Sequence, residues 1–203
     1  MSRVDELIGE LCPDGVEFRT LGDVFVMKAG QHISASAIAD EKSGDLPYPV
    51  YGGNGQRGWV AGTSHSGSFL LIGRQGALCG NVKRVSGDFF ATEHAVVTEP
   101  TDLMIVDFAF HLLTTMDLNQ YKSSGAQPGL AVSNLAAVRI PIPPLEVQRE
   151  IVRILDQFTE LEAELEAELE ARRRQYQHYR DSLLTFAERE RVRWSTLSGT
   201  CVK

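Results

Sequence analysis

The chain has 203 residues, 43% of them hydrophobic, with 27 acidic against 20 basic side chains and a formal net charge of −7. That composition supports one cored globular domain, and its acidity argues against strong DNA binding by the chain alone, which needs clustered Lys and Arg. No apolar run approaches a membrane span, the start MSRVDELIGEL lacks a signal-peptide core, and Cys12, Cys79 and Cys201 are odd in number, far apart and without paired spacing, so no disulfide or zinc framework is expected and a reduced, cytoplasmic setting is.

Val4, Leu7, Ile8 and Leu11 space a short amphipathic helix that Pro13 and Gly15 stop. Val16–Val24 alternates as a strand, or as a strand entering a turn. Residues 25–45 read as a polar stretch carrying Lys28, Gln31, His32 and Lys42. Tyr48–Tyr51 leads into Gly52-Gly53-Asn54-Gly55-Gln56-Arg57-Gly58-Trp59, where Gly and Asn at this density mean tight turns with positive φ. Strand-like segments follow at Phe69–Ile72, Gly73–Val82, Phe89–Ala91 and Ala95–Thr98. Neither glycine cluster ends in the Lys-Ser/Thr of a phosphate loop. Leu103–Leu118 is expected to be a buried helix, Tyr121–Leu130 a polar loop, and Val132–Leu135 with Val138–Ile142 a last turn and a short strand.

From Pro144 to about Arg189 the chain reads as one long helix. Pro143-Pro144 suits a helix start, no Gly or Pro interrupts the run, and Glu, Leu, Ala, Arg and Gln fill it. At 1.5 Å per residue this is a rod of about 65 Å. Ile151, Ile154, Phe158, Leu161 and Leu165, then Leu169, Arg172, Tyr176, Tyr179, Leu183 and Phe186, step by three and four, with a stutter between the two runs. So narrow a stripe wants a partner helix rather than water. Glu160 to Glu170 precede Arg172, Arg173 and Arg174, which favours an antiparallel partner of the same sequence. The fold class is therefore α+β: a β-rich domain over residues 1–143, a long coiled-coil-forming helix over 144–189, and a remnant over 190–203. The remnant has its own signal. Asp14–Val24 reads DGVEFRTLGDV and Glu190–Thr200 reads ERVRWSTLSGT, sharing Val, an aromatic and Thr-Leu at equal spacing.

No catalytic constellation emerges. Ser66 and Ser68 lack a nucleophile-elbow pattern, the five histidines are scattered, Glu93-His94 is not a helix-spaced metal pair, and Asp107 with His111 reads as a surface contact. No cofactor or metal is implied. Binding signals are better. Arg57 and Trp59, Arg74 and Gln75, Lys83 and Arg84, and Lys122 with Ser123, Ser124 and Gln127 fall in loops or at strand ends. Arg and Gln suit base edges; Lys, Ser and glycine-turn N–H groups suit phosphates. The plainer reading is an ordinary solvated surface.

Tyr48–Trp59 (YPVYGGNGQRGW), Leu70–Val82 (LLIGRQGALCGNV), Phe90–Val97 (FATEHAVV), Gly125–Leu155 with its IPIPPLEVQREIV block, and the Glu/Arg rod together resemble the specificity subunit of type I restriction–modification systems. The resemblance implies a target-recognition domain followed by a spacer helix, in a non-catalytic subunit that reads one half of a bipartite DNA site. It implies docking to methyltransferase subunits and, through them, to a restriction subunit. Members of usual length carry two such domains; this chain has one, plus the beginning of a second repeat. Two copies pairing through the rods would then read a palindromic, interrupted site. On this reading Tyr51, Gly53, Asn54, Arg57, Arg74, Gln75, Lys83, Lys122, Ser124 and Gln127 are the candidate DNA residues. Phe158, Leu161, Leu165, Leu169, Tyr176, Tyr179 and Leu183 carry dimerisation. A non-DNA scaffold on a coiled coil, and pairing with a different half, stay open as alternatives.

Overall fold

The computed structural model describes residues 2–76, 79–123 and 129–185. The chain divides into two units, Met1–Leu155 and Asp156–Lys203.

Helix α1, Arg3–Leu11, is fixed by a capping box: the Asp5 N–H donates to Ser2 Oγ at 3.2 Å and the Ser2 N–H to Asp5 Oδ2 at 2.8 Å. Strand β1, Glu17–Thr20, is shorter than the alternation suggests. Thr20 ends it by donating from its N–H and hydroxyl to Asp23 Oδ2, at 3.0 and 2.7 Å, and so opens the single-turn helix α2, Leu21–Val24. The expected polar stretch also needs correction, because Phe25–Ala29 forms strand β2. Its Phe25 is buried while Val26 is exposed, as on an edge strand with one wet face.

The main sheet holds six strands in the order β2-β7-β5-β6-β3-β4, with β3 Tyr48–Gly52, β4 Gly55–Val60, β5 His65–Gly73, β6 Val82–Ala91 and β7 Ala95–Pro100. Gly73–Val82 is not a strand as expected. Positive φ at Gly76 (86°) and Gly80 (89°) turns the chain there, and a Cβ on Gly80 would lie 2.6 Å from the backbone N of Asn119. The sheet is strongly curled. His65 pairs with Phe89 near the end of β6, whereas Ala95 opens β7 opposite Gly73, at the other end of β5. In a flat sheet those places stand about 26 Å apart, yet the six steps of chain from Phe89 to Ala95 reach at most about 21 Å. Gly67 and Gly87 face each other in register with φ of 126° and 87° and mark the bend.

Central strand β5 is buried on both faces. Leu70 and Ile72 join Leu21, Val24, Phe25, Phe108, Leu113 and Leu135 in the larger core; Phe69 and Leu71 join Val85, Phe89, Ala91 and Val97 inside the curl. Helix α3, Val106–Thr115, ends before the expected Leu118 because Asp117 takes a left-handed φ of 43°. Helix α4, Val132–Ala136, leads to strand β8, Arg139–Ile142, which pairs antiparallel with β1 in a separate two-stranded sheet.

Helix α5 runs Leu145–Leu184, 40 residues or about 60 Å. Its expected continuation to Arg189, the seam residue Phe186 and the repeat at Glu190–Thr200 lie outside the described residues. Its first turns belong to the domain. Val147 and Gln148 are fully buried, and Ile151, expected in the outer seam, packs with Val152 on the larger core. Gln148 accepts from the Ile105 N–H at 2.9 Å and donates to the carbonyls of Leu103 and Pro143 at 2.9 and 2.8 Å. In the second unit Phe158, Leu161, Leu165, Leu169, Tyr176, Tyr179 and Leu183 are each between 51% and 67% exposed, flanked by the i,i+4 ion pairs Glu168–Arg172 and Glu170–Arg174.

Candidate nucleic-acid interface

The curl brings four separate segments to one place. The first is the β3–β4 turn. A Cβ on Gly53 would stand 2.7 Å from the His94 carbonyl oxygen and 3.4 Å from Gly73 Cα, so the turn lies directly on the ends of β5 and β7. A Cβ on Gly52 would stand 2.7 Å from Arg57 Cδ; the Arg57 stem crosses the space a side chain would need. Replacing Gly53 with alanine is therefore expected to lower stability by about 1–3 kcal/mol through overpacking, read as a lower urea midpoint at unchanged slope.

The second segment is the loop after β5. The Arg74 N–H donates to His94 O at 2.8 Å, and Arg74 O accepts from the Leu130 N–H at 2.9 Å. Gln75 bridges to Gly129, whose carbonyl accepts from the Ser123 N–H at 3.0 Å. The third is Thr92–His94, and the fourth is Gly30–His32, where Gln31 bridges to Thr92 and the Glu93 N–H donates to Gln31 O at 3.1 Å. Gly53, Asn54, Gly55, Gln56, Arg57, Gln75 and His94 line a groove of about 400 Å³.

Of the residues singled out from sequence, Gly53, Asn54, Arg57 and Gln75 meet in this groove, and the Arg74 backbone is hydrogen-bonded next to it. Lys83 lies beside it; its Cε is 4.0 Å from where a Gly55 Cβ would be. Tyr51 supports the groove from within, its ring edge-on to Phe89 at 5.9 Å. Lys122 lines a different groove with Asp117, Asn119, Gln120 and Ser123. Ser124 and Gln127 lie outside the described residues. Arg84 is tied down, paired with Asp107 at 2.6 Å and set 5.1 Å over the Phe110 ring. Arg57, Arg74 and Lys83 have no ion-pair partner among the described residues, so their charge is available to a ligand.

Sequence reading missed three side chains here. His32 Nδ1 is 2.9 Å from Glu93 Oε1, His94 Nε2 is 3.7 Å from the same oxygen, and His94 Nδ1 is 2.9 Å from Gln75 Oε1. The His32 hydrogen bond holds the Glu93 carboxyl below the usual carboxylate range, against the opposing effect of burial. Glu93-His94 is visible as a pair in the sequence, but its partners are not. Ser64 and His65 do touch, Oγ to Nδ1 at 2.7 Å, yet the ring is stacked on Phe89 and edge-on to Phe69, away from the groove. Among the described residues no cluster of His, Cys, Asp or Glu could hold a metal, and no helix is long and apolar enough to cross a membrane. The groove can present donors from Arg, Gln and Asn beside exposed backbone, the chemistry of base-edge and phosphate recognition.

Both the sequence and the fold match known proteins. The model for the family described as the type I restriction modification DNA specificity domain matches residues 13–171. The chain is 54% identical over 143 residues to the Type I restriction enzyme EcoprrI specificity subunit of Escherichia coli, covering 70% of this chain and 36% of that one. A solved type I restriction–modification S subunit from M. genitalium matches with TM-score 0.63 and 20% identity, over 84% of this chain and 47% of that chain. The HsdS subunit from Thermoanaerobacter tengcongensis matches with TM-score 0.59 and 22% identity, over 81% and 44%. At those identities the two structures speak for the fold alone. The chain thus spans about a third of the length of this curated relative and under half of each solved structure. With the family model covering most of it, this chain belongs to the type I restriction–modification DNA specificity domain family.

Proposed function

We propose that the chain reads DNA sequence for a type I restriction–modification enzyme, as a non-catalytic subunit acting in the cytoplasm. The observation that carries this is the groove, where Asn54 and Arg57 of the β3–β4 hairpin meet Gln75 of the loop after β5 in a chain of this family. Residues 1–143 form the recognition domain, the helix from 144 onward is the spacer, and residues 190–203 begin a second repeat. Asn54, Arg57, Arg74 and Gln75 face base edges; Lys83, Lys122, Ser124 and Gln127 contribute backbone or further base contacts; Tyr51 and Gly53 hold the loop in shape. Two copies pair antiparallel through Phe158, Leu161, Leu165, Leu169, Tyr176, Tyr179 and Leu183, giving a reader of a bipartite, palindromic site that docks methyltransferase subunits and, through them, a restriction subunit.

The net charge of −7 fits a division of labour. This chain reads base edges and its partners neutralise phosphate, so the isolated chain binds duplex DNA weakly and the assembled complex binds it far more tightly, with a steep salt dependence. Tight, salt-insensitive binding by the isolated chain contradicts this. The direct test is co-expression with the cognate methyltransferase subunit, followed by base-by-base mapping of chromosomal methylation. A palindromic gapped motif is expected. An asymmetric motif means pairing with a different half, and no motif returns the chain to the scaffold reading. Arg74→Ala is expected to relax base choice at one motif position while leaving the dimer intact on size-exclusion chromatography.

A further inference from the structure

The hydrogen-bonded chain behind the groove has a consequence for what the groove reads. Gln75 Oε1 lies 2.9 Å from His94 Nδ1. A carbonyl oxygen only accepts, so Nδ1 carries the hydrogen and donates it. The ring is flanked on its other nitrogen by Glu93 Oε1 at 3.7 Å, and Glu93 is itself held by His32 at 2.9 Å. The backbone on both sides is fastened too, since the His94 carbonyl accepts the Arg74 N–H at 2.8 Å and Gln75 bridges to Gly129. A free glutamine offers one acceptor and two donors and meets adenine through both kinds. Here the oxygen is turned to His94, which takes one of its lone pairs, and the Nε2 end is the part of the amide held toward the groove.

We infer that His94 is a positioning residue that fixes the Gln75 amide, so that the groove reads a hydrogen-bond acceptor on a base edge. This rests on the DNA-reading function proposed above. Guanine N7 and O6, adenine N7 and thymine O4 are such acceptors in the major groove; the cytosine N4 amine is a donor and is refused. Gln75 is the reader, His94 sets which end of it reads, and Glu93 with His32 steadies the imidazole.

The test uses the full chain with its methyltransferase subunit and methylation mapping as the readout. The wild-type complex is expected to show one motif position that excludes cytosine on the contacted strand. His94→Leu frees the amide to rotate, and discrimination at that position alone is expected to fall about tenfold, the low end of what one base-edge contact contributes. His94→Asn, whose amide nitrogen stands near the place of Nδ1, is expected to restore it. Gln75→Glu presents an acceptor instead and is expected to shift that position toward cytosine or adenine. An even loss of methylation over all sites in both His94 variants would mean a merely structural role and overturn the inference. So would a motif changed by Gln75→Ala but untouched by His94→Leu. If the wild-type complex methylates without any sequence motif, the DNA-reading function itself falls, and the inference with it.

Discussion

Gln148→Leu is expected to destabilise the Met1–Leu155 unit by about 3–5 kcal/mol, against about 1 kcal/mol for an average substitution. Leucine preserves the volume and removes the polarity. Gln148 is fully buried and completes three hydrogen bonds, to the Ile105 N–H and to the Leu103 and Pro143 carbonyls. Each backbone group left buried without a partner costs about 1–3 kcal/mol. The three losses share one side chain, so they fall short of simple addition. Urea unfolding followed by Trp59 fluorescence reads the effect, with Trp194→Phe as the background so that one tryptophan reports. Gln148→Glu should be at least as damaging as leucine at neutral pH, because a buried carboxylate without a cation would face the Leu103 and Pro143 carbonyl oxygens. A loss below about 1 kcal/mol in the leucine variant would mean that water or backbone movement satisfies those groups, and the clamp would be dispensable.

The second large effect is on assembly. Wild-type chain is expected to be a dimer at micromolar concentration, and Leu165→Glu a monomer, with association weakened by at least about a hundredfold. Leu165 is 66% exposed in the single chain and central in the stripe from Phe158 to Leu183. Burying one such leucine contributes about 1.5–3 kcal/mol, and a two-fold pair loses it twice. The new carboxylate also joins a segment already dense in glutamate, from Glu160 to Glu170. Ala167→Glu, off the stripe, is the control and should leave the dimer intact. Sedimentation equilibrium with circular dichroism tests both points, because helix content should fall with the dimer if tertiary burial is what holds a helix of this length. A wild-type chain that stays monomeric at about 100 μM would contradict the paired arrangement, since partners that exist to associate do so well below that concentration.

Much of this was legible in the sequence where the signal is local. The rod announces itself through Pro143-Pro144, uninterrupted helix formers and a stripe stepping by three and four. The β3–β4 turn does so through Gly52-Gly53-Asn54-Gly55. Local signals also misled. The alternation over Val16–Val24 hid the Thr20–Asp23 capping box, which breaks the strand after Thr20. Phe25–Ala29 is apolar except for Lys28, but its short run is lost among the polar residues that follow it. Leu103–Leu118 carries apolar residues along its whole length, but the left-handed Asp117 cannot be read from spacing. The groove lay furthest from reach. His32 and Glu93 are 61 positions apart, and Gln75 and His94 are 19 apart. Strand pairing brings them together, β2 on β7 for the first pair and β5 on β7 for the second, and which strands pair is not written in composition. Arg57 and Gln75 could be picked by residue type; the side chains that orient them could not.

Strands β1 and β8 pair with each other and with no other named strand among the described residues. Glu17 faces Ile142 at one end of that ladder and Thr20 faces Arg139 at the other. Residues 17–142 therefore start and finish at a single seam, and all the segments that build the groove hang between. A segment whose two ends already meet can be exchanged for another of different sequence without moving the helix that follows, provided the seam and the Gln148 clamp are kept. For a reader of DNA, that makes new specificities reachable by replacing one interval of the gene rather than by altering side chains one at a time.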